Sequence, residues 1–212
     1  MDFFGHAAVA SWHGAGTGLA LGAMLPDFAG MILARPPPAA HSGITEGIRL
    51  HHRTDAVFHD APAFRELSTR ALEWLEDRGL RRGSARAIAH VGVEMLLDAA
   101  VADDAGARAA YLGALDEARE AALGALIGWP GALERARFAA LRATLAARGL
   151  EAAASSPELV GFRLARALVG RPRLALDEAG ERLAREWAVR FEPEVRARGD
   201  ELVGYVRGAL GL

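Results

Sequence analysis

The sequence predicts an all-α fold, arranged as a single-domain helical bundle over residues 1–212. Three observations lead to this prediction. Apolar residues recur about every 3.6 residues along most of the chain, as on the buried face of a helix. Alanine and leucine, two strong helix formers, are abundant. Alternating runs of β-branched residues, which are typical of strands, are almost absent.

Chain breaks and capping residues divide the first part of the chain into five helices. The first is expected over residues 3–12 and the second over 19–25, with a glycine-rich turn between them and a proline-rich loop at 35–38. The residues expected to cap, begin or end the next three helices are Ser42, Pro62, Gly79 and Ser84. Residues 1–104 are the predicted metal-site half, because all 7 histidines lie there.

Residues 105–212 are predicted to be a helical lid and packing half. An alanine-rich helix is expected from about 107 to 127, and a Trp-Pro-Gly break at 129–131 separates it from the next helix. The features that end, begin or interrupt the helices after this break are Gly149, Ser156, Pro157 and the stretch 170–174. Two final helices are expected to follow.

Composition narrows the possible functions. Cysteine is absent, which excludes disulfides and thiolate ligands, so a metal would be held by imidazole and carboxylate groups. The net charge of −2 gives no argument for nucleic-acid binding. The apolar stretch 14–33 is interrupted by Pro26 and Asp27, and the chain start lacks the positive region of a signal peptide. A cytoplasmic protein without membrane association is therefore expected.

A polar stripe of His51, Asp55 and His59 is the most informative motif, with His52 and Asp60 beside it. Four-residue spacing places the three side chains on one helix face, about one turn apart. Imidazole and carboxylate groups in this arrangement can converge on one metal ion. The alternative interpretation is a solvated helix face, and spacing alone leaves both interpretations open.

A second stripe, His90, Glu94 and Asp98, lies within an apolar run. A buried carboxylate is costly unless it is paired or bound to a metal, so these surroundings favour a functional interpretation, above all for Asp98. The alternative is a helix with an acidic edge. If the two striped helices face each other, their side chains form one metal site.

Three further residues are candidates by their surroundings. His6 and Asp27 stand in the most apolar part of the chain, where an isolated aspartate becomes neutral or needs a cation. A helix cap at Asp27 and a core histidine at His6 are the alternatives. Arg53 follows the histidine pair, and its guanidinium is suited to hold a phosphate, although an ordinary surface arginine fits the sequence equally well.

Several groups of residues, in order along the chain, form a pattern shared with a known family. They are Met1, Phe3, His6 and Ala10; Gly22, Leu25, Asp27 and Phe28; Gly47, Ile48, His51, Arg53 and Asp55, with Pro62; Asp98; and Arg171, Pro172, Arg173 and Leu174. With these residues the chain resembles the acyl carrier protein phosphodiesterases, a divergent branch of the HD-domain metal-dependent phosphohydrolases. The resemblance runs the length of the chain at similar spacing.

The resemblance implies an HD-domain-like fold and a phosphodiesterase that releases 4′-phosphopantetheine from holo acyl carrier protein, usually with Mn²⁺. Fe²⁺, Zn²⁺ and Mg²⁺ are alternatives, and acyl carrier protein is the implied partner. The implied metal ligands are His6, Asp27, His51, Asp55 and Asp98. The catalytic candidates are Asp55, Arg53 and His90, with Arg53 expected to stabilise phosphate charge. Supporting or substitute ligands are expected among His59, His90, Glu94 and His52.

Two positions depart from the family pattern. His59 stands where the family usually has aspartate, and Ala99 stands where it has a histidine after the late aspartate. His90, two turns before Asp98, is the candidate to replace the missing imidazole. The departures keep two alternatives open: a metal-dependent phosphohydrolase for a small phosphoester or nucleotide, and a non-catalytic helical binding protein on the same fold.

Overall fold

The computed structural model describes residues 1–14, 16–35, 37–38, 40–117, 127–152 and 156–212. Within these ranges the regular elements are ten α-helices and one short 3₁₀ helix, so the predicted all-α class is confirmed. The α-helices are α1 Phe3–Trp12, α2 Thr17–Met31, α3 Ser42–Asp60, α4 Pro62–Glu76, α5 Arg82–Val101, α6 Ala105–Glu117, α7 Ala132–Arg148, α8 Pro157–Val169, α9 Glu178–Ala197 and α10 Gly199–Leu210. The 3₁₀ helix Gly149–Ala152 follows α7.

The chain forms two compact bodies. The first body consists of Asp2–Ala56, Val101–Ala153 and Leu212, and the second of Met1, Val57–Ala100 and Ala154–Gly211. Each body therefore combines a segment from the N-terminal half of the chain with one from the C-terminal half. Helix α3 contributes its first 15 residues, Ser42–Ala56, to the first body.

The first body is built around α1. This helix is apolar on all sides, and every residue from Phe3 to Ala10 is buried, as expected of a central core helix. It packs against α2 and α6, and α2 packs in turn against α6 and α7. The Phe3 ring lies between the rings of Phe28 and Tyr111, with centroid distances of 5.7 and 5.9 Å. Burying each of these rings stabilises the fold by about 1.5–3 kcal/mol.

Two glycines allow α2 and α3 to approach each other at backbone distance. A Cβ atom added at Gly22 would lie 2.2 Å from the carbonyl oxygen of Ile44. One added at Gly47 would lie 2.3 Å from the carbonyl oxygen of Leu19. Both clashes involve backbone atoms, which a rotamer change cannot relieve. The separation of α2 and α3 therefore depends on the absence of a side chain at both positions.

The second body packs α9 against α4, α8 and α10. Its largest buried side chain is Trp187 of α9, which stacks on Phe191 with a centroid distance of 5.4 Å. The Trp187 ring lies against Gly92 of α5, where an added Cβ would come within 2.2 Å of the ring. Gly92 is two residues from both His90 and Glu94, so it lies on the opposite side of α5 from them. The contact with Trp187 therefore packs the side of α5 that faces away from His90 and Glu94.

Most predicted helix boundaries are confirmed. Pro62 and Ser156 begin or cap helices as expected, and Gly149 ends α7 with φ of 54°. The predicted end of the second helix at residue 25 is wrong, because α2 continues through Pro26 to Met31. Phe28 and Ala29 beyond the proline are buried, and their packing offsets the missing backbone hydrogen bond.

Two other predicted boundaries, at the start of α5 and at both ends of α6, differ from the structure or extend beyond the described residues. Ser84 lies inside α5 rather than capping it, and its hydroxyl donates to the carbonyl oxygen of Leu174 at 3.1 Å. The predicted helix from 107 to 127 begins at Ala105 and is described as far as Glu117, and residues 118–126 lie outside the described residues.

The apolar segment 14–33 contains α2, which ends at Met31. No helix in the described ranges combines the length and the apolar character needed to cross a membrane.

We expect Gly22→Ala to lower the free energy of unfolding by about 1–3 kcal/mol, because the new methyl group forces α2 and α3 apart. The matched control is Gly30→Ala on the same helix, where an added Cβ meets nothing within 4 Å. This control should be neutral or stabilise by up to about 1 kcal/mol through helix propensity. Urea unfolding measures both changes, and equal effects would refute the close-packing argument.

Candidate metal centre

Four side chains from three helices of the first body meet at one place. They are His6 from α1, Asp27 from α2, and His51 and Asp55 from α3. The coordinating atoms of His6, Asp27 and His51 all lie within 4.8 Å of one another. Asp55 contacts both imidazoles of this group. We call these four residues the His/Asp cluster.

His6 is a neutral imidazole with an available lone pair. Its side chain is 0% exposed within α1, and its Nε2 lies 3.2 Å from Asp55 Oδ1. Neither ring nitrogen has the alignment of a hydrogen bond. Burial lowers the pKa of His6 to about 3, and the contact with Asp55 opposes this shift only in part. At neutral pH the ring is therefore uncharged and can act as a metal ligand.

The orientation of His51 is set by the backbone of α2. Its Nδ1 donates a hydrogen bond to the carbonyl oxygen of Ala23 at 2.9 Å, because a carbonyl oxygen can only accept. In the neutral ring the lone pair is then on Nε2, the atom that lies 3.2 Å from Asp55 Oδ2. Two lone pairs at this distance repel each other unless a proton or a cation lies between them. A hydrogen bond from the second ring nitrogen to the backbone is also the usual arrangement of a metal-bound histidine.

Asp55 is a carboxylate held between two imidazoles. Its Oδ1 faces His6 and its Oδ2 faces His51, each at 3.2 Å. Burial raises the pKa of Asp55, but the contacts with His51 and His6 lower it by more, to well below its usual range. The group therefore stays ionised at neutral pH and supplies the negative charge that a buried cation requires.

Asp27 completes the cluster from the side that faces solvent. The interpretation that it caps a helix is wrong, because α2 runs from Thr17 to Met31 without a break. Its Oδ2 lies 3.9 Å from His6 Nε2. The side chains of Asp27 and Asp55 are 26% and 30% exposed, whereas that of His51 is 5% exposed. The cluster thus buries its imidazoles and opens toward solvent on its carboxylate side.

The donor set fits a divalent first-row metal. Imidazole nitrogens together with carboxylate oxygens suit Zn²⁺, Mn²⁺ or Fe²⁺, and no thiolate is available. The buried His6 imidazole, whose ring nitrogens have no well-aligned hydrogen bond, would gain a partner when a cation is present. The cluster is therefore a candidate metal centre.

A second group of possible ligands lies in the second body. It consists of His59 from α3 with His90 and Glu94 from α5. Glu94 Oε1 lies 3.0 Å from His59 Nε2, 3.3 Å from His90 Nε2 and 3.5 Å from the amino nitrogen of Met1. The two sequence stripes thus meet through His59, whereas His51 and Asp55 of the first stripe join His6 and Asp27.

Three predicted site residues belong to neither group of ligands found among the described residues. Asp98 is 1% exposed on α5. His52 is exposed on α3, with its ring edge-on to that of His51 at a centroid distance of 5.3 Å. Arg53 is also exposed and is two residues from both His51 and Asp55, a spacing that does not share a helix face. The roles of these three residues stay predictions.

Two groups that shape the sites were not predicted from the sequence. The carbonyl oxygen of Ala23 orients His51, and the amino nitrogen of Met1 contacts Glu94. Both are backbone groups, so no side-chain motif marks them. The only sequence signal near the first is the pair Gly22 and Gly47, small residues at which two helices can approach closely.

Comparison with protein-family models, curated proteins and solved structures finds no match to this chain.

We expect Mn²⁺ to raise the unfolding temperature of the chelator-treated protein, since a ligand that binds only the folded state stabilises it. At 100 times the dissociation constant the gain is about 2.7 kcal/mol. Asp55→Asn keeps the side-chain size but removes the charge, and should lose most of this gain. The matched control is Glu46→Gln on the same helix, at an exposed ion pair with Arg49. Scanning calorimetry measures the shift, and an unchanged gain in Asp55→Asn would exclude the cluster as the metal site.

The metal-free protein should become less stable as the pH falls from about 6.5 toward 4.5. The pKa of His6 is 6.5 in the unfolded chain and about 3 in the folded protein, so within this range the unfolded state binds one more proton. Stability therefore rises with pH, by about 1.4 kcal/mol per pH unit for one proton. Glu94, whose pKa falls from 4.5 to about 2, contributes only below this range.

The measurement is the slope of unfolding free energy against pH, in wild type and in His6→Asn, with a chelator present. The variant should show a smaller slope whatever its absolute stability. Identical slopes would show that His6 is not the buried neutral group.

Proposed function

We propose that the protein is a divalent-metal-dependent phosphodiesterase with an HD-domain-like fold. The observation that carries this proposal is the position of Asp55, whose two oxygens each lie 3.2 Å from a different buried imidazole. Imidazole and carboxylate donors that converge from three helices, with an ionised carboxylate between them, resemble the ligand sets of hydrolytic metal centres.

His6, Asp27, His51 and Asp55 would hold the ion, and Asp98 remains a predicted further ligand. The resemblance favours Mn²⁺, with Fe²⁺, Zn²⁺ and Mg²⁺ as alternatives. A divalent ion in such a site lowers the pKa of water and offsets the negative charge of a phosphoryl group.

The chain's own residues position the donors and control access. His51 is held by the Ala23 carbonyl, and His6 is held by its burial in α1. These two imidazoles close the inner side of the cluster to water. The partly exposed carboxylates of Asp27 and Asp55 leave the outer side open, and a phosphodiester would approach from there. Metal-activated hydrolysis of this kind needs no covalent protein nucleophile.

The substrate in this proposal comes from the resemblance to the acyl carrier protein phosphodiesterases. The reaction would hydrolyse the phosphodiester that joins 4′-phosphopantetheine to the carrier serine of holo acyl carrier protein. The roles of Arg53 and His90, and a cytoplasmic location, belong to the same proposal. The exposure of Arg53 leaves its guanidinium accessible to a phosphate on a docked carrier protein.

His59 favours a second candidate function on the same metal chemistry. The related family usually has aspartate there, whereas here the histidine contacts Glu94 at 3.0 Å. A changed contact of this kind fits a metal-dependent phosphohydrolase that acts on a small phosphoester or nucleotide without a carrier protein.

Intact-mass analysis of holo acyl carrier protein, incubated with the chelator-treated protein and Mn²⁺, tests the proposal. We expect the carrier protein to lose the mass of its phosphopantetheine group. Asp55→Asn should lower the rate by at least about 100-fold, the upper end of losses seen when groups supporting a metal site are removed. Glu46→Gln should retain the wild-type rate.

A parallel reaction with bis-p-nitrophenyl phosphate separates the two candidates. Cleavage of this small diester with an unchanged carrier protein would favour the second candidate. If neither substrate is cleaved while Mn²⁺ still raises the unfolding temperature, the protein binds metal without hydrolysing phosphodiesters and the proposal fails.

A further inference from the structure

His59, His90 and Glu94 of the second body share one focal atom, Glu94 Oε1. The Nε2 atoms of His59 and His90 lie 3.0 and 3.3 Å from it, on two different helices. The two imidazole rings lie side by side, with a centroid distance of 4.7 Å. Three donor groups therefore face a common point, and all the coordinating atoms lie within 4.8 Å of one another.

Aromatic packing limits the movement of the two imidazoles. The Phe64 ring lies 5.3 Å from the His59 ring and 5.3 Å from the His90 ring, measured between centroids. Phe58 packs against Phe64 at 4.5 Å, and both phenyl rings are buried. Rings supported in this way lose little further conformational entropy when they bind an ion, which favours binding.

The site has a buried negative charge and an open side. The Glu94 side chain is 12% exposed, whereas those of His59 and His90 are 35% and 45% exposed. Burial raises the pKa of Glu94, but the nearby amino group of Met1 and the hydrogen bond with His59 outweigh this and bring it to about 2. The carboxylate is thus ionised at neutral pH, and an ion or a small ligand can reach it past the histidines.

We propose that His59, His90 and Glu94 bind a second divalent ion, Zn²⁺ in preference to Mn²⁺, independently of the His/Asp cluster. Two imidazoles and one carboxylate form a three-ligand set typical of zinc sites that keep a fourth position for water or substrate. His90 and Glu94 are four residues apart on α5, so one helix face presents both donors. The nitrogen-rich donor set and the order of divalent affinities both favour Zn²⁺ over Mn²⁺.

The competing explanation is a hydrogen-bonded group without a metal. Each imidazole would then donate its Nε2 proton to Glu94, and this arrangement also satisfies the carboxylate. The two explanations differ in what they predict for added metal. Only the metal site predicts tight Zn²⁺ binding that depends on Glu94 and His90.

The test is the number of Zn²⁺ ions retained per chain after dialysis of the 212-residue protein, measured by elemental mass spectrometry. Wild type should retain two ions, and Glu94→Gln and His51→Ala should each retain one. His90→Ala should match Glu94→Gln, and it alters a side chain that is 45% exposed and therefore tolerant of change. His13→Ala is the control, because His13 is exposed and belongs to neither ligand group.

Co²⁺ in the His51→Ala variant gives an independent readout. We expect visible d–d absorption of low-coordinate Co²⁺ that is lost when His90→Ala is added. The inference is overturned if Glu94→Gln and His90→Ala retain as many Zn²⁺ ions as wild type, or if His51→Ala removes all bound metal. If the His/Asp cluster binds no metal, the result is different: His51→Ala would retain as many ions as wild type, and Glu94→Gln would lose one.

Discussion

The contact of α2 with α3 at Gly22 and Gly47 is the constraint on which the candidate metal centre depends. With no Cβ at these positions, the two helix backbones approach to a distance that a methyl group would block. This approach places the Ala23 carbonyl within 2.9 Å of His51 Nδ1, which sets the tautomer and direction of the ring. The packing of the two helix backbones thereby sets the orientation of the His51 imidazole. A change of about 1 Å in the distance between the helices would alter the geometry of the candidate site.

The electrostatics of the His/Asp cluster follow from where each member is buried. His6 lies inside an apolar helix and loses its proton to desolvation, while Asp55 remains charged between two imidazoles. Neutral imidazole and ionised carboxylate are the protonation states that a divalent cation requires. The fold therefore holds both candidate ligands in these protonation states without a metal, and the burial of His6 is expected to make the metal-free protein sensitive to acid.

Helix α3 carries candidate ligands of both groups at four-residue intervals. His51 and Asp55 belong to the first body, whereas His59 belongs to the second. The two groups also differ in chemistry. The His/Asp cluster combines two carboxylates with imidazoles and suits an oxygen-preferring ion, whereas the group around Glu94 has two imidazoles for one carboxylate. His59 thus lies with His90 and Glu94 rather than with His51 of the same helix.

The sequence by itself determined the all-α class, most helix boundaries and the residue types able to bind metal. These properties depend on short-range physics: apolar periodicity, capping, proline geometry and the burial cost of polar groups. It also singled out four residues that the structure brings together, His6, Asp27, His51 and Asp55. Only the tertiary structure decided that His59 joins Glu94, that Ala23 orients His51 and that α2 continues through Pro26. Spacing along the chain determines which side chains share a helix face, but which faces meet depends on long-range packing, here on glycine contacts and buried aromatic rings.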